Sequence, residues 1–505
     1  MPASVSRLRL LSYHGMRTEA LTERRFTVRA AAARRAAGDH EIEQSMSKRI
    51  ISAVAALVVF GVAGGAFLFL PRTSVVVRPG DDLQKALDAV AESGTIVLQD
   101  GDYQLTRPLQ ITRPGVTLKA AHPRAARLVA AEKFAKHPKT NKGAMIRVDS
   151  PNVTLSGLVL DGRFVTLLKA IDASDTDDQE SLAHGLIVDD CEVFHFAHHA
   201  IDIDADDAVV RNCLIYEILW DEFGVRHDAH GIVTTNGQRL TIDSCTIRNC
   251  SGDCIQGERG VWDNLIIINC DLSDGPLPRD LGGFKQGTVP GENAFDSKHA
   301  IGSRGRVAIV SCKLHGFRTR LRVYTAAVVL KENVDAVIDS CDIYDSTIAL
   351  RLRGVSHGMP MRPVVMNTII HGNDLAFRLE DQLEKFRLLH CTIFDNKQQT
   401  VWAPGGVPWK GIWDNSGWAL QNNLWIEPSL VPELATDKSL GAKGNLVVAR
   451  NQVNDQFVPL DPAPGIELAP VVDQWYEATG RVVRDKSGKM RTSPPTTGAL
   501  EHPDT

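Results

Sequence analysis

Gly291-Glu292-Asn293-Ala294-Phe295-Asp296-Ser297-Lys298 decides the fold, because six other segments lie over it in register. With Ala294 as origin, Ala200-Ile201-Asp202-Ile203-Asp204, Gly231-Ile232-Val233-Thr234-Thr235, Cys254-Ile255-Gln256-Gly257-Glu258, Ala327-Val328-Val329-Leu330-Lys331, Ala349-Leu350-Arg351-Leu352-Arg353 and Ala376-Phe377-Arg378-Leu379-Glu380 share one template. A small residue is followed by apolar and variable residues in alternation. Period two marks a strand with one buried face, and one strand recurring along a chain marks a coiled solenoid.

With Phe295 and Ser297 pointing inward beside Ile201, Ile255, Leu350 and Phe377, Asp296 and Lys298 point out. Stacked coils then predict two outward columns. The first is Asp202, Val233, Gln256, Asp296, Val329, Arg351, Arg378, and the second is Asp204, Thr235, Glu258, Lys298, Lys331, Arg353, Glu380. Carboxylates precede Lys298 and mostly cations follow it.

A third column supports the register. Cys191, Cys213, Cys245, Cys270, Cys312, Cys341 and Cys391 each follow an aliphatic strand, at spacings of 22, 32, 25, 42, 29 and 50 residues; the last gap holds two coils, with Thr368 in the Cys place. Just before them run Asp190, Asn212, Ser244, Asn269, Ser311, Ser340, Asn367 and His390, a polar stack suited to pairing backbone groups at a turn. Equivalent positions on neighbouring coils lie about 4.8 Å apart, and free Cys is a small buried hydrophobe. No C-x-x-C pair suggests zinc, and nine cysteines leave no tidy disulfide framework. The column therefore reads as core, with a Cys250–Cys254 bridge left open.

Three interruptions flank the Lys298 strand: Tyr216 to His230, rich in Asp, Glu and His; Asp271 to Asn293, rich in Gly and Pro; and the alternating Arg318, Arg320 and Arg322. Long insertions on one face of a solenoid commonly build its binding site.

Composition agrees with one elongated domain. Hydrophobic content of 43% with 23% charged residues is ordinary for a chain with a large core. A net charge of −5 gives no reason to expect a nucleic-acid partner.

Residues 1–45 are Arg- and Ala-rich without strand or helix period, and read as disordered or outside the mature product, with Met46 as an alternative start. Lys48-Arg49 then lead into Ile50 to Leu70, 21 uncharged residues that would cross a membrane as a helix. A cleavable signal peptide is the rival reading of residues 46–71. Either way the positive flank stays inside and the remainder is expected to be exported, anchored or secreted.

After Val75-Val76-Val77, Asp81 or Asp82 can cap a short helix with Leu83, Ala86, Leu87 and Val90 on one face. Gly94-Thr95-Ile96-Val97-Leu98 and Gly101-Asp102-Tyr103 return to strand character. This opening resembles the N-terminal cap and first coils of right-handed parallel β-helix proteins, the pectate-lyase-like superfamily. The resemblance implies an all-β solenoid over 72–425, with residues 426–505, whose Gly480 to His502 segment resembles the closing part of bacterial β-helices, as a C-terminal cap.

At motif level Asn293 to Lys298 is similar to the segment of family nine polysaccharide lyases in which a strand lysine is the base near an aspartate-held calcium. The resemblance implies an exported lyase acting on an acidic polysaccharide. Here the family's Asp-Gly opening is Asn293-Ala294, and its full aspartate set is not evident. β-Elimination from a uronic acid needs a base for the C5 proton, cations for the adjacent carboxylate and help for the leaving oxygen. The expected catalytic residues are Lys298, Arg351, Arg353 and His230, with Lys331, Gln256, His227, Arg318, Arg320 and Arg378 as substrate contacts. Asp202, Asp204, Glu258 and Asp296 are the candidate Ca2+ ligands. Lys331 and the arginines would lower the Lys298 pKa, whereas Glu258 and Asp296 would raise it.

His199, His230, Asp253 and Asn293 precede the origin residue on consecutive coils and are expected to stack, while His195, His198 and His371 read as structural. Two other readings stay open: a uronate epimerase or glycoside hydrolase on the same fold, the latter through two carboxyl groups such as Glu258 with Asp296, and a non-catalytic, anchored solenoid that binds exopolysaccharide.

Overall fold

The computed structural model describes residues 72–136, 143–174, 180–320, 324–354, 358–380, 383–403, 417–428, 432–460, 465, 484–492 and 495–501. The proposed membrane or signal segment, Ile50 to Leu70, lies outside the described residues, as does Arg322. Among the described residues no helix is long and apolar enough to cross a membrane.

A full coil gives one strand to each of three parallel sheets, which among the described residues hold 14, 13 and 11 strands. Ile187–Asp189, Glu192–Phe194 and Ile201–Ile203 make one such coil, and Val209–Arg211 starts the next beside Ile187–Asp189. Inward side chains from all three sheets merge into one core running from Val77 to Leu440, with Trp262, Phe295, Phe377 and Trp425 among its largest fully buried side chains. Alternation buries one face of every strand, and stacking supplies each strand's partner, so the fold needs both signals at once.

Eight strands of the 11-stranded sheet carry the outward columns: β1 (Leu168–Ala173), β2 (Ile201–Ile203), β3 (Ile232–Thr234), β4 (Ile255–Gly260), β5 (Phe295–His299), β6 (Val328–Leu330), β7 (Ile348–Arg353) and β8 (Leu375–Glu380). Their pairing links Asp202, Val233, Gln256, Asp296, Val329, Arg351 and Arg378 side by side, the first column as expected. The same ladder continues the other way through Asp172 and Arg147. The second column is not a continuous ladder. Asp204, Thr235 and Lys331 lie just past the ends of β2, β3 and β6, leaving Arg353 and Glu380 as a true pair.

The turn between the 14- and 13-stranded sheets explains the polar stack. Asp190, Asn212, Ser244, Asn269, Ser311, Ser340, Asn367 and His390 all have φ between 51° and 59°, the left-handed region. In that conformation each amide turns toward the next coil, as Ser244 N does to Ile268 O at 3.0 Å and Ser311 N to Asp339 O at 2.9 Å. Small polar residues, Asn and Asp above all, tolerate this backbone best. The following cysteine then points inward: all nine cysteines are buried, free thiols, Cys250 and Cys254 among them. Cys245 Sγ lies 3.6 Å from Val210 O on the preceding coil, and its neighbours repeat the contact.

At the N-terminal end α1 (Leu83–Ala89) is capped by Asp82, whose Oδ1 accepts from Lys85 N at 3.0 Å. Leu83 and Leu87 are buried under it, with Ala86 partly buried against the same core. Parallel pairing runs past Trp425 to Val448, one coil beyond the expected boundary. Residues 484–501 run back over the left-handed turns instead: Lys486 Nζ reaches Ser340 O at 2.9 Å and Arg491 reaches Asn367 Oδ1 at 2.9 Å.

Candidate functional site

All three sequence interruptions fall at one corner, the connection from the 13-stranded into the 11-stranded sheet, so they wall one side of the β2–β6 face. The first folds into an antiparallel hairpin, Trp220–Glu222 with Val225–His227. Trp220 stacks on His227 at 4.3 Å, and Arg226 ties the hairpin to the second insertion through Pro290 O and Glu292, each at 3.0 Å. Asp274 fixes the ends of that insertion by accepting from Gly275 N and Gly291 N.

At the centre of the face the ladder breaks. Gly257 pairs with Ser297, but the next pair is Gly260 with His299, so β4 carries one extra residue opposite Lys298. This is a β-bulge, a local kink that re-aims side chains. It swings Glu258 across to Lys298, with Nζ 3.2 Å from Oε2. Trp262 Nε1 pins both strands by donating to Glu258 O at 3.0 Å and Lys298 O at 2.7 Å. Gly260 is required here, since a Cβ at that position would sit 2.0 Å from Thr235 O.

Charge around the bulge is closely paired. Lys331 Nζ lies 2.7 Å from Asp296 Oδ2, while Asp296 Oδ1 is buried without a hydrogen-bond partner among the described residues. Burial pushes the Lys298 pKa down, but the carboxylates of Asp296, Glu258 and Asp253 outweigh it and the net shift is upward. Burial likewise opposes the charge of Glu258, and its hydrogen bond from Arg259 N together with Lys298 takes it below the usual range. The resting pair is an ammonium and a carboxylate.

The expected His-Asp-Asn stack exists and is a hydrogen-bonded chain along the coils. His199 and His230 stack at 5.1 Å. Asp253 N donates to His230 Nδ1 at 2.7 Å, Asn293 Nδ2 to Asp253 Oδ1 at 2.7 Å, and Ala326 N to Asn293 Oδ1 at 2.9 Å. Gln256 Nε2 adds a 3.0 Å bond to Asp253 Oδ2. Because a backbone N–H occupies Nδ1, neutral His230 carries its proton on Nε2. Burial lowers its pKa to about 4, so it is uncharged at neutral pH and its 3.4 Å approach to Asp253 is no ion pair. His230 is therefore built as a neutral donor, not as a proton-releasing imidazolium.

The structure gathers Lys298, Glu258, Asp296, Lys331, Gln256 and His230 into this centre. The other expected site residues lie apart from it. His227 belongs to the hairpin. Arg318 bridges three groups on later coils, Asp345, Asp374 and Gly372 O, at 2.6–2.8 Å, and Arg320 is exposed. Arg351, Arg353 and Arg378 surround Glu380, which Arg351 holds at 2.9 and 3.1 Å. Sequence reading passed over the bulge, Trp262, Lys169 and Tyr324; the Gly257-Glu258-Arg259-Gly260 spacing was the signal available for the first.

The four candidate calcium ligands do not converge. Asp202 is three ladder steps from Asp296, about 14 Å at the usual strand spacing. Lys169 takes Asp202 at 2.6 Å, and the backbone amides of Thr235 and Asn236 take Asp204 Oδ1 at 2.6 and 3.0 Å. Among the described residues no group of three or more His, Cys, Asp or Glu is arranged to hold a metal. These donors do not fit one shared ion.

Residues 180–272 and 225–408 match the family model of a right handed beta helix region. No curated protein sequence matches the chain. Among solved structures the chain is similar to pectate lyase Pel9A, at 11% identity and TM-score 0.36, over 86% of this chain and 90% of that one. It is similar also to the alginate lyase from Paenibacillus sp. str. FPU-7, at 14% identity and TM-score 0.35, over 65% of this chain and 95% of that one. A third, Geobacillus virus E2 ORF18, has 14% identity and TM-score 0.41 over 69% of this chain, and the match spans 64% of that chain's length. Likenesses so distant say nothing of chemistry. Three parallel sheets and the family match agree, and the described coils form a right-handed parallel β-helix.

Proposed function

We propose that the protein is an exported polysaccharide-active enzyme that cleaves an acidic, uronate-containing chain by β-elimination, with Lys298 as the base. The observation that carries this reading is the bulge opposite Lys298, which breaks a regular ladder and turns Glu258 onto the Lys298 amine beside the Asp296–Lys331 pair. In the reaction the Lys298 amine takes the C5 proton, the electron pair forms the C4–C5 double bond as the C4–O glycosidic bond breaks, and the departing oxygen takes its proton from water. Lys331 lies on the same face to offset charge on the substrate carboxylate, and His230 Nε2–H can donate to an oxygen gaining charge without itself ionising.

Lys298 must be deprotonated to act, and its pKa is raised. Elimination should therefore climb with pH past the ordinary lysine range, near 10.4. The test is ultraviolet absorbance of the unsaturated product when the full chain meets polygalacturonate, alginate and uronate-containing glycosaminoglycans, with calcium or chelator. Lys298→Ala should abolish the signal, and a rate already flat below pH 8 would rule out lysine as base.

The raised pKa supports a second reading, in which Lys298 stays an ammonium and the solenoid binds acidic polysaccharide without cleaving it. Retention of polymer with no product in any of these assays, and little loss in Lys298→Ala, would favour that reading.

A further inference from the structure

On the N-terminal side of the site the outward charges answer one another. Arg147 pairs with Asp172 in the ladder and bonds it at 2.9 Å, and Lys169 bridges Asp172 and Asp202 at 3.3 and 2.6 Å. The like-charge pair on that side, Asp172 against Asp202, is bridged by Lys169; on the C-terminal side Arg351 lies directly against Arg378 in the ladder, a like-charge pair that works against the sheet. Arg353 joins them, and among the described residues Glu380 serves all three arginines. Val329 before and Val401 after bound the cluster in the column.

A roof covers it. The Tyr324 ring lies 3.8 Å from the Arg378 guanidinium carbon and 5.5 Å from that of Arg351. Tyr324 remains 47% exposed, and its φ of 66° places a bulky residue in the left-handed region, a conformation that needs a compensating contact. Two guanidiniums side by side under an exposed aromatic edge match an oxyanion carried on a sugar ring, because arginine binds carboxylate or sulfate through paired N–H donors.

We infer that Arg351, Arg353, Arg378 and Tyr324 form a second subsite, which holds a carboxylate or sulfate on a sugar other than the one that meets Lys298. Arg351 is two ladder steps from Asp296 and Arg378 three, about 10 Å and 14 Å along the stack. Glu380 holds their heads toward β8 rather than toward β5. The arginines so placed serve a neighbouring unit, and the substrate carries acidic groups on more than one sugar. The subsite presupposes that this face binds an acidic polymer, as proposed above.

The test separates the two ideas by measuring retention on immobilised polygalacturonate, alginate, dextran sulfate and neutral dextran, using the full chain with Lys298→Ala so that no cleavage intervenes. Arg378→Ala and Tyr324→Ala, each added to it, should weaken retention on acidic gels by about tenfold. Arg239→Ala, at an exposed arginine paired with Asp207, should leave it unchanged. Carboxylate and sulfate gels distinguish the two anions. Since Tyr324 is half exposed, its removal leaves no core cavity, and thermal unfolding checks that both variants are folded. Equal retention of parent, Arg378→Ala and Tyr324→Ala, or no retention of the parent, overturns the subsite. Arg378-dependent retention without elimination by the unsubstituted chain removes the lyase reading and leaves the subsite standing.

Discussion

Two buried aspartates show how one kind of residue is shifted in opposite directions in one fold. Asp161 is 1% exposed, and burial works against its charge, yet hydrogen bonds from His195, Arg163 N and Arg127 bring its pKa down to about 2. A carboxyl depressed from 3.8 contributes stability above its unfolded pKa and loses it as pH falls through about 2. Asp161→Asn should cost about 2 kcal/mol at pH 7 and progressively less below pH 4, read by urea unfolding at each pH. Asp202 goes the other way: burial raises it to about 6 in spite of Lys169. His230 illustrates the limit of reading a residue type. The sequence places it among the candidate catalytic residues without deciding its proton state, and a backbone amide donating to Nδ1 puts the proton of the neutral ring on Nε2. His230→Gln, which keeps an N–H donor, should retain more elimination activity than His230→Ala, and the pH–rate profile should show no step near 6.5; equal loss in both variants would remove the donor role.

At the scale of the element, the coil turn and the bulge are the two devices that matter. Ser311 holds φ 54° at an exposed turn position. Ser311→Val should destabilise by about 1–2 kcal/mol through its branched Cβ, and Ser311→Asn by almost nothing, as thermal unfolding would register. The bulge in β4 depends on Gly260, against which Thr235 O packs too closely for any side chain. Gly260→Ala must move one strand or the other, so Glu258 leaves Lys298. The columns were legible because period two and coil length are both written in sequence. The bulge was not, because it falls at the end of β4, where only Gly260 pairs beyond it and no stretch of alternation is left to record the change of phase.

Across the whole molecule, the C-terminal segment ties coils that are far apart in sequence. Arg491, with 2% of its side chain exposed, meets Glu501, with none exposed, and also bonds Asn367. Breaking a buried pair by removing one partner strands the other charge. Arg491→Ala should lower stability by about 3–5 kcal/mol in denaturant unfolding; a change below 1 kcal/mol would mean that the strap is not coupled to the stack. One continuous core from Val77 to Leu440 makes such coupling expected, since each coil contacts its neighbours and strain at one turn is passed along.

What the sequence by itself determined was the repeating part: the alternation that buries one strand face, the polar residue before each cysteine, the helix under Asp82 and the first outward column. Each follows from local geometry, which a residue string records directly. Only the tertiary structure decided which outward groups meet. Glu258 reaches Lys298 through a bulge, Arg351 and Arg378 turn to Glu380, and the candidate calcium ligands separate because Asp202 and Asp296 are three coils apart. Such meetings depend on register, side-chain direction and burial between segments tens of residues apart, and a sequence states none of these.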